Sequence, residues 1–284
     1  MNTGSALLGP AVFAALAWFI SFRLWRRKRI HETGTWGGAL AVGGGFIVGY
    51  VALVGLPQLK PEGAFDWLPL IALIAMIPSV FHQFWGDKIY KFVPVVAVIA
   101  TLTVWLQAFT RIRYRWQPSE AMLWIGGAGI FIAIVAWNLE VLSRRRQGAS
   151  MPAALLIYSV LASIILRVAG SGLLANQMAA LAACMIVALI FSWWNPQFAL
   201  SQGALTVFSI LFFGLILQGY WYAEMRTVSL FVTISAPFFL WYGESRKIFY
   251  MKPSKAVLWR MGLVAVPMFL ALLIGGYDFY RDGR

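Results

Sequence analysis

The sequence predicts an all-α, polytopic bundle of transmembrane helices, with about ten spans and no sizeable soluble domain. Of its 284 residues, 61% are hydrophobic and only 12% are charged, about half the charged fraction of a soluble domain. The mean hydropathy is +0.77. Apolar stretches of near-spanning length recur along the whole chain, each bounded by charge, proline or tryptophan. We therefore expect residues 1–284 to form a single integral membrane domain.

The first span is expected over residues 5–22. Its apolar run leads directly into the basic cluster Arg23–Arg29. A cleavable signal peptide has the opposite order, with the basic residues before the apolar run. The segment is therefore predicted to be a retained span whose N-terminus lies outside.

Nine further spans are expected. The second is rich in glycine, and the third contains Pro78. The sixth and seventh are separated only by Ala169–Leu173, so they form either a tight hairpin or a re-entrant pair, and nine or eleven spans are the alternatives to ten. The predicted boundaries are 37–56, 67–84, 92–110, 121–142, 152–169, 174–193, 203–220, 227–243 and 257–276.

The charge distribution predicts the orientation. The chain has 23 Lys and Arg against 10 Asp and Glu, a net charge of +13. Most of the basic residues fall in the connections after the odd-numbered spans, and short basic loops stay in the cytoplasm. The prediction is a multi-pass protein of the cell (plasma or inner) membrane with both termini outside. The basic residues are expected to meet anionic lipid headgroups, and no nucleic-acid partner is expected.

Five arginines on the predicted outer side form the candidate ligand-binding set. Three of them alternate in Arg111-Ile112-Arg113-Tyr114-Arg115, and alternate residues of an extended segment share a face. Guanidinium groups bind phosphate and carboxylate. The predicted set comprises Arg111, Arg113, Arg115, Arg167 and Arg226. The alternative is that these residues only anchor the protein to lipid phosphates.

A polar cluster of His82, Asp87 and Glu140 is a second candidate, for proton handling or ligand binding near the opposite face. The alternatives are a helix end that reaches headgroups and, for Glu140, an i,i+4 ion pair with Arg144. All ten acids fall in loops or near predicted span ends, which argues against a carboxylate-driven ion pump. Histidine and cysteine are too sparse to predict a metal or haem site, and no cofactor is expected.

Glycines in the second span, Gly43, Gly44, Gly45 and Gly49, permit two interpretations. Gly45 and Gly49 form a GxxxG pattern, which lets neighbouring helices approach closely. Consecutive glycines also weaken a helix, so the segment could instead unwind and line a substrate path.

Three classes of function remain open from the sequence. The favoured class is a transporter of a small or amphipathic anionic solute. The alternatives are a non-catalytic subunit or assembly factor of a membrane complex, and an intramembrane enzyme on a lipid-linked anionic substrate. The sequence leans away from an enzyme, since it contains no recognisable catalytic motif. Membrane-protein partners or a second copy of the chain are compatible with the small-residue faces.

Overall fold

The computed structural model of the chain describes residues 3–25, 35–57, 61, 63–82, 92–145, 148–194, 200, 203–245, 251 and 253–281. Within these ranges the chain is helical and has no strand. The helices are α1 (Thr3–Trp25), α2 (Thr35–Val54), α3 (Leu68–His82), α4 (Val93–Tyr114), α5 (Pro118–Arg145), α6 (Ser150–Val168), α7 (Gly172–Trp194), α8 (Ala204–Tyr222), α9 (Thr227–Ser235), a 3₁₀ helix (Ala236–Glu244) and α10 (Pro253–Arg281).

The predicted all-α transmembrane bundle is confirmed. Seven helices in the described ranges are long and apolar enough to cross a membrane. Three predicted spans are not among these seven helices. The first corresponds to α1, the third to α3, and the ninth to α9 together with the 3₁₀ helix. The ninth differs most from expectation, because it changes from α to 3₁₀ geometry beside Pro237, whose ring nitrogen has no hydrogen to donate.

Helix α8 forms the centre of the bundle. Of its spanning window, 94% is buried inside the protein, as is typical of a helix that is apolar on all sides. Three phenylalanines, Phe208, Phe212 and Phe213, are almost completely buried. Helices α2, α3, α4, α5 and α7 pack around α8, while α6 and α9 contact it less extensively. All the described helices contribute to one apolar core.

The glycines of α2 lie in close helix packing, and α2 is a continuous helix. A Cβ on Gly45 would lie 2.6 Å from Cys184 Sγ of α7, and one on Gly49 would lie 2.8 Å from Pro10 of α1. A Cβ on Gly43 would lie 2.6 Å from Met76 of α3. The observed contacts match the packing interpretation, and the unwound segment is not observed in α2.

The close spacing of the sixth and seventh spans produces a tight hairpin of two long helices, so the re-entrant alternative is wrong. Gly170, in the turn between α6 and α7, has a φ of +89°, a conformation that residues with a Cβ rarely adopt. Ser163 of α6 donates a hydrogen bond to the Ala175 carbonyl of α7 over 2.8 Å.

A buried arginine joins three elements where α6 and α10 begin. Arg260 of α10 donates to Ser150 Oγ of α6 over 2.6 Å and to the carbonyl of Gly243 over 3.2 Å. Its guanidinium is also 3.2 Å from the Glu244 carboxylate at the end of the 3₁₀ helix. Arg260 is 5% exposed, so these partners compensate for the loss of its hydration.

We expect Gly45→Ala to destabilise the bundle, because the added methyl group would overlap Cys184 Sγ. Overpacking of this kind costs about 1–3 kcal/mol. The measurement is the thermal unfolding midpoint in detergent. Gly126→Ala on α5 is the matched control, since a Cβ there meets nothing within 4 Å. Equal midpoints for the two variants would contradict the packing role of Gly45.

Candidate functional site

The candidate site lies at the end of the bundle where α4 and α8 terminate, which we name the arginine end. Two hydrogen bonds bring its connections together: Gln218 of α8 donates to the Ala64 carbonyl before α3 over 3.0 Å, and the Glu224 amide donates to the Ala169 carbonyl after α6 over 3.1 Å. The α2–α3, α6–α7 and α8–α9 connections therefore surround the end of α8. We name the other end of the bundle, where α4 and α8 begin, the opposite end.

The alternating arginines do not form an extended segment. Helix α4 continues to Tyr114, and residues two positions apart on a helix face in different directions. Arg111 therefore turns inward. Its guanidinium donates to the Trp221 carbonyl at the end of α8 and lies 5.6 Å from the ring centroid of Tyr222. The expectation that all three guanidinium groups project together is wrong.

The other four arginines of the predicted set are exposed at the same end. Arg113 and Arg115 lie at the end of α4, and Arg167 in the last turn of α6 donates to Asn176 Oδ1 over 2.7 Å. Arg226 precedes the first residue of α9. The hydrogen bond between Glu224 and Ala169 brings the segments of Arg167 and Arg226 together. Anion binding by these residues stays a prediction.

Beneath Arg111, two glutamines form a buried polar centre between α4 and α8, which we name the amide centre. Gln107 of α4 contacts Gly214 of α8, where a Cβ would lie 2.5 Å from Gln107 Nε2. The Tyr222 hydroxyl donates to the Gln107 carbonyl over 2.9 Å. Gln218 lies one turn from both Gly214 and Tyr222 on the same face of α8, so it lies beside Gln107.

Both glutamines of the amide centre are 0% exposed. Neither amide atom of Gln107 has a hydrogen-bond partner within the described structure, and the same is true of Gln218 Oε1. Sequence analysis did not identify these residues. The available signal was an amide residue inside an apolar span, where polar side chains are costly and often functional.

The loop before α3 covers the amide centre. Asp66 accepts a hydrogen bond from the Gly63 amide over 2.9 Å, and the Tyr50 phenol of α2 lies near the same carboxylate. The Phe65 ring lies 6.2 Å from the Tyr222 ring. Asp66 therefore fixes the loop that closes the arginine end over α8.

An aromatic cluster occupies the side of the arginine end next to α5. Trp124 of α5 is stacked on Trp116 with 6.3 Å between ring centroids. It also lies 6.1 Å from Trp221 and 5.4 Å from Tyr220 of α8. Trp and Tyr side chains favour the interface between lipid and water, where one part of the ring is apolar and another is polar.

From this cluster an open apolar groove runs along the outside of the bundle between α5, α8 and α9; we name it the lateral groove. Its volume is about 260 Å³, and its lining includes Trp124, Gly127, Phe131, Leu217 and Phe231. A Cβ on Gly127 would meet nothing within 4 Å. Between Leu123 and Ile132, the lining residues of α5 extend about 14 Å along the helix axis.

The arrangement combines an apolar groove, an aromatic ring cluster and guanidinium groups at one end. Trp124 belongs to both the groove and the aromatic cluster, so an apolar chain in the groove has its polar end at the level of the arginines. This geometry suits an amphipathic molecule with an anionic head. Acidic side chains at the same end, Asp66, Glu120 and Glu224, make the charge of this surface mixed instead of uniformly positive.

The predicted cluster of His82, Asp87 and Glu140 is described only in part. His82 is the last residue of α3, and Asp87 lies outside the described residues. Glu140 of α5 is 2% exposed, and its carboxylate is 3.9 Å from Arg144. The i,i+4 ion pair of the alternative interpretation is therefore present, and the role of the three residues in proton handling stays a prediction.

Within the described ranges, no three His, Cys, Asp or Glu side chains are grouped in a way that could hold a metal ion. Comparison with protein-family models, with curated proteins and with solved structures gave no match.

We expect Arg111→Gln to lower the thermal unfolding midpoint, because it removes a charge-assisted hydrogen bond between α4 and α8. Such a bond contributes about 1.5–3 kcal/mol. The control, Arg113→Gln, alters an exposed side chain on the same helix and should change the stability by less than about 0.5 kcal/mol. If the two variants lose equal stability in detergent, the inward role of Arg111 is contradicted.

Proposed function

We propose that the protein is a membrane transport protein for an amphipathic anionic solute. Its proposed path starts at the lateral groove, where the solute's apolar chain binds from the bilayer. The observation that carries the proposal is the continuity of the groove with the aromatic cluster through Trp124. A molecule in the groove would place its apolar part at membrane depth and its head at the membrane interface.

The dense centre of the bundle supports a peripheral path. The window of α8 is 94% buried, and the α2 glycines fit tightly against α1, α3 and α7. Beside Gly127, by contrast, a side chain would meet nothing within 4 Å. The open space beside Gly127 lies on the side of the bundle, and this favours lateral capture over a path along the buried α8.

The exposed arginines supply the charge selectivity in this proposal. Arg113 and Arg115 follow the same α4 helix whose Arg111 is fixed to α8. Guanidinium groups bind phosphate and carboxylate with two parallel hydrogen bonds. They would hold the anionic head while Trp116 and Trp124 pack beside the junction between head and chain.

The two other classes have less support. The subunit interpretation rested on small-residue faces, but Gly45 and Gly49 of α2 use theirs inside the bundle. The enzyme interpretation needs a carboxylate available at the arginine end. Asp66, the carboxylate in the loop before α3, is already engaged by the Gly63 amide.

The test of transport uses the protein reconstituted in phosphatidylcholine vesicles. The probe is a short-chain, NBD-labelled phosphatidylglycerol, and its movement between leaflets is followed by dithionite quenching. We expect the wild-type protein to accelerate this movement and Gly127→Leu to slow it several-fold, since a leucine side chain would fill the lateral groove.

Gly126→Leu is the matched control. Gly126 precedes Gly127 on α5 and is equally open to added volume, but it does not line the lateral groove. It should retain wild-type rates. Absence of acceleration by the wild-type protein would refute transport of this probe, and equal loss in both variants would remove the lateral groove from the path.

The double substitution Arg113→Gln/Arg115→Gln tests the selectivity. We expect it to reduce the movement of the NBD-labelled phosphatidylglycerol and to leave that of an NBD-labelled phosphatidylcholine unchanged, because only the first probe has a net negative headgroup. Both side chains are exposed, so folding should be preserved. Equal effects on the two probes would contradict a role of these arginines in charge selection.

A further inference from the structure

A second apolar groove follows α10 on the side that faces α9 and the 3₁₀ helix, and we name it the α10 groove. Its volume is about 640 Å³. One wall is formed by α10 from Leu258 to Leu270, and the other includes Val232 of α9 and Phe239 of the 3₁₀ helix. A Cβ on Gly262 would meet nothing within 4 Å, so the groove is open where this glycine lies.

The length of the α10 groove matches a lipid chain in one leaflet. Leu258 and Leu270 are separated by about 18 Å along the helix axis, and the hydrocarbon of one leaflet is about 15 Å thick. Val266 and Trp259, which line the groove, are 70% and 54% exposed. Apolar side chains this exposed on a transmembrane helix are available to acyl chains.

A lysine lies at the end of this groove nearest the opposite end of the bundle. Lys255 precedes Trp259, Gly262 and Val266 by four, seven and eleven residues, so all four share one face of α10. Lys255 is exposed. On the facing wall, Tyr242 follows Phe239 by three residues, the repeat of a 3₁₀ helix, and is 70% exposed. Lysine, tyrosine and tryptophan are typical of the headgroup level.

The local charge favours an anion. Glu140 and Glu244, the carboxylates of the opposite end that lie within the described residues, are each paired with an arginine, at 3.9 Å and 3.2 Å. Arg145, also at this end, is exposed and lies 5.5 Å from the Trp241 ring centroid. Among the described residues of this end, Lys255 and Arg145 are therefore exposed cations, while the two carboxylates are already engaged by arginines.

We propose that the α10 groove is a binding site for an anionic phospholipid. One acyl chain occupies the groove over Gly262, and Lys255 binds the phosphate at the mouth of the groove. The site is separate from the lateral groove, because α9 and the 3₁₀ helix stand between them: Phe231 lines the lateral groove and Val232 lines the α10 groove.

The experiment is native mass spectrometry of the full chain in detergent, with equal amounts of dioleoyl phosphatidylglycerol and dioleoyl phosphatidylcholine added. We expect the wild-type protein to retain phosphatidylglycerol preferentially. Lys255→Gln should lower that retention about fivefold, the effect of one basic residue near an anionic headgroup. Gly262→Leu should reduce retention of the same lipid by filling the groove.

Two controls make the outcome specific. Lys255→Arg keeps the positive charge at the mouth of the groove, and Gly276→Leu adds volume to an open position of α10 that does not line the groove. Both should retain the lipid as the wild-type protein does. Equal retention of the two lipids, no effect of Lys255→Gln, or the same loss with Lys255→Arg would each overturn the proposal. None of these outcomes depends on the proposed transport activity, which is tested separately with the Gly127→Leu variant in vesicles.

Discussion

The burial of α8 at the centre of the bundle is the constraint on which the other helices depend. A transmembrane helix satisfies its backbone hydrogen bonds internally, so association depends on side-chain packing. Helices α2, α3, α4, α5 and α7 surround α8, and large rings such as Phe212 fill the space between them. The glycines of α2 allow the close approach on which this arrangement depends. As a result, the neighbouring helices enclose almost the whole length of α8.

The two grooves described above lie on the outside of the bundle. Both grooves share α9 as a wall, and the 3₁₀ helix adds Phe239 to the wall of the α10 groove. In a 3₁₀ helix, side chains three residues apart lie on one line along the axis. The surface that the 3₁₀ helix presents to the flanking α-helices therefore differs from that of an α-helix. The ninth span therefore separates two apolar grooves, one next to α5 and α8 and the other next to α10.

Polar side chains inside the bundle connect helices near their ends. Arg111 joins α4 to α8, and Arg260 joins α10 to α6 and to the 3₁₀ helix. Removal of one partner from such a buried network leaves the other without compensation for its lost hydration. Gln107 and Gln218 differ, since three of their amide atoms have no protein partner within the described ranges. The fourth, Gln218 Nε2, donates to the Ala64 carbonyl and so joins α8 to the loop before α3.

The sequence by itself determined the bundle, the approximate position of each span and the grouping of basic residues, because length and hydropathy are local properties that the bilayer imposes on each segment. It also identified GxxxG as a packing option. Only the tertiary structure decided which helix is central, which arginine turns inward and where the grooves lie. These depend on contacts between residues distant in sequence, such as Arg111 with Trp221 and Gln218 with Ala64. The hydropathy of a single segment does not determine which other helices pack against it.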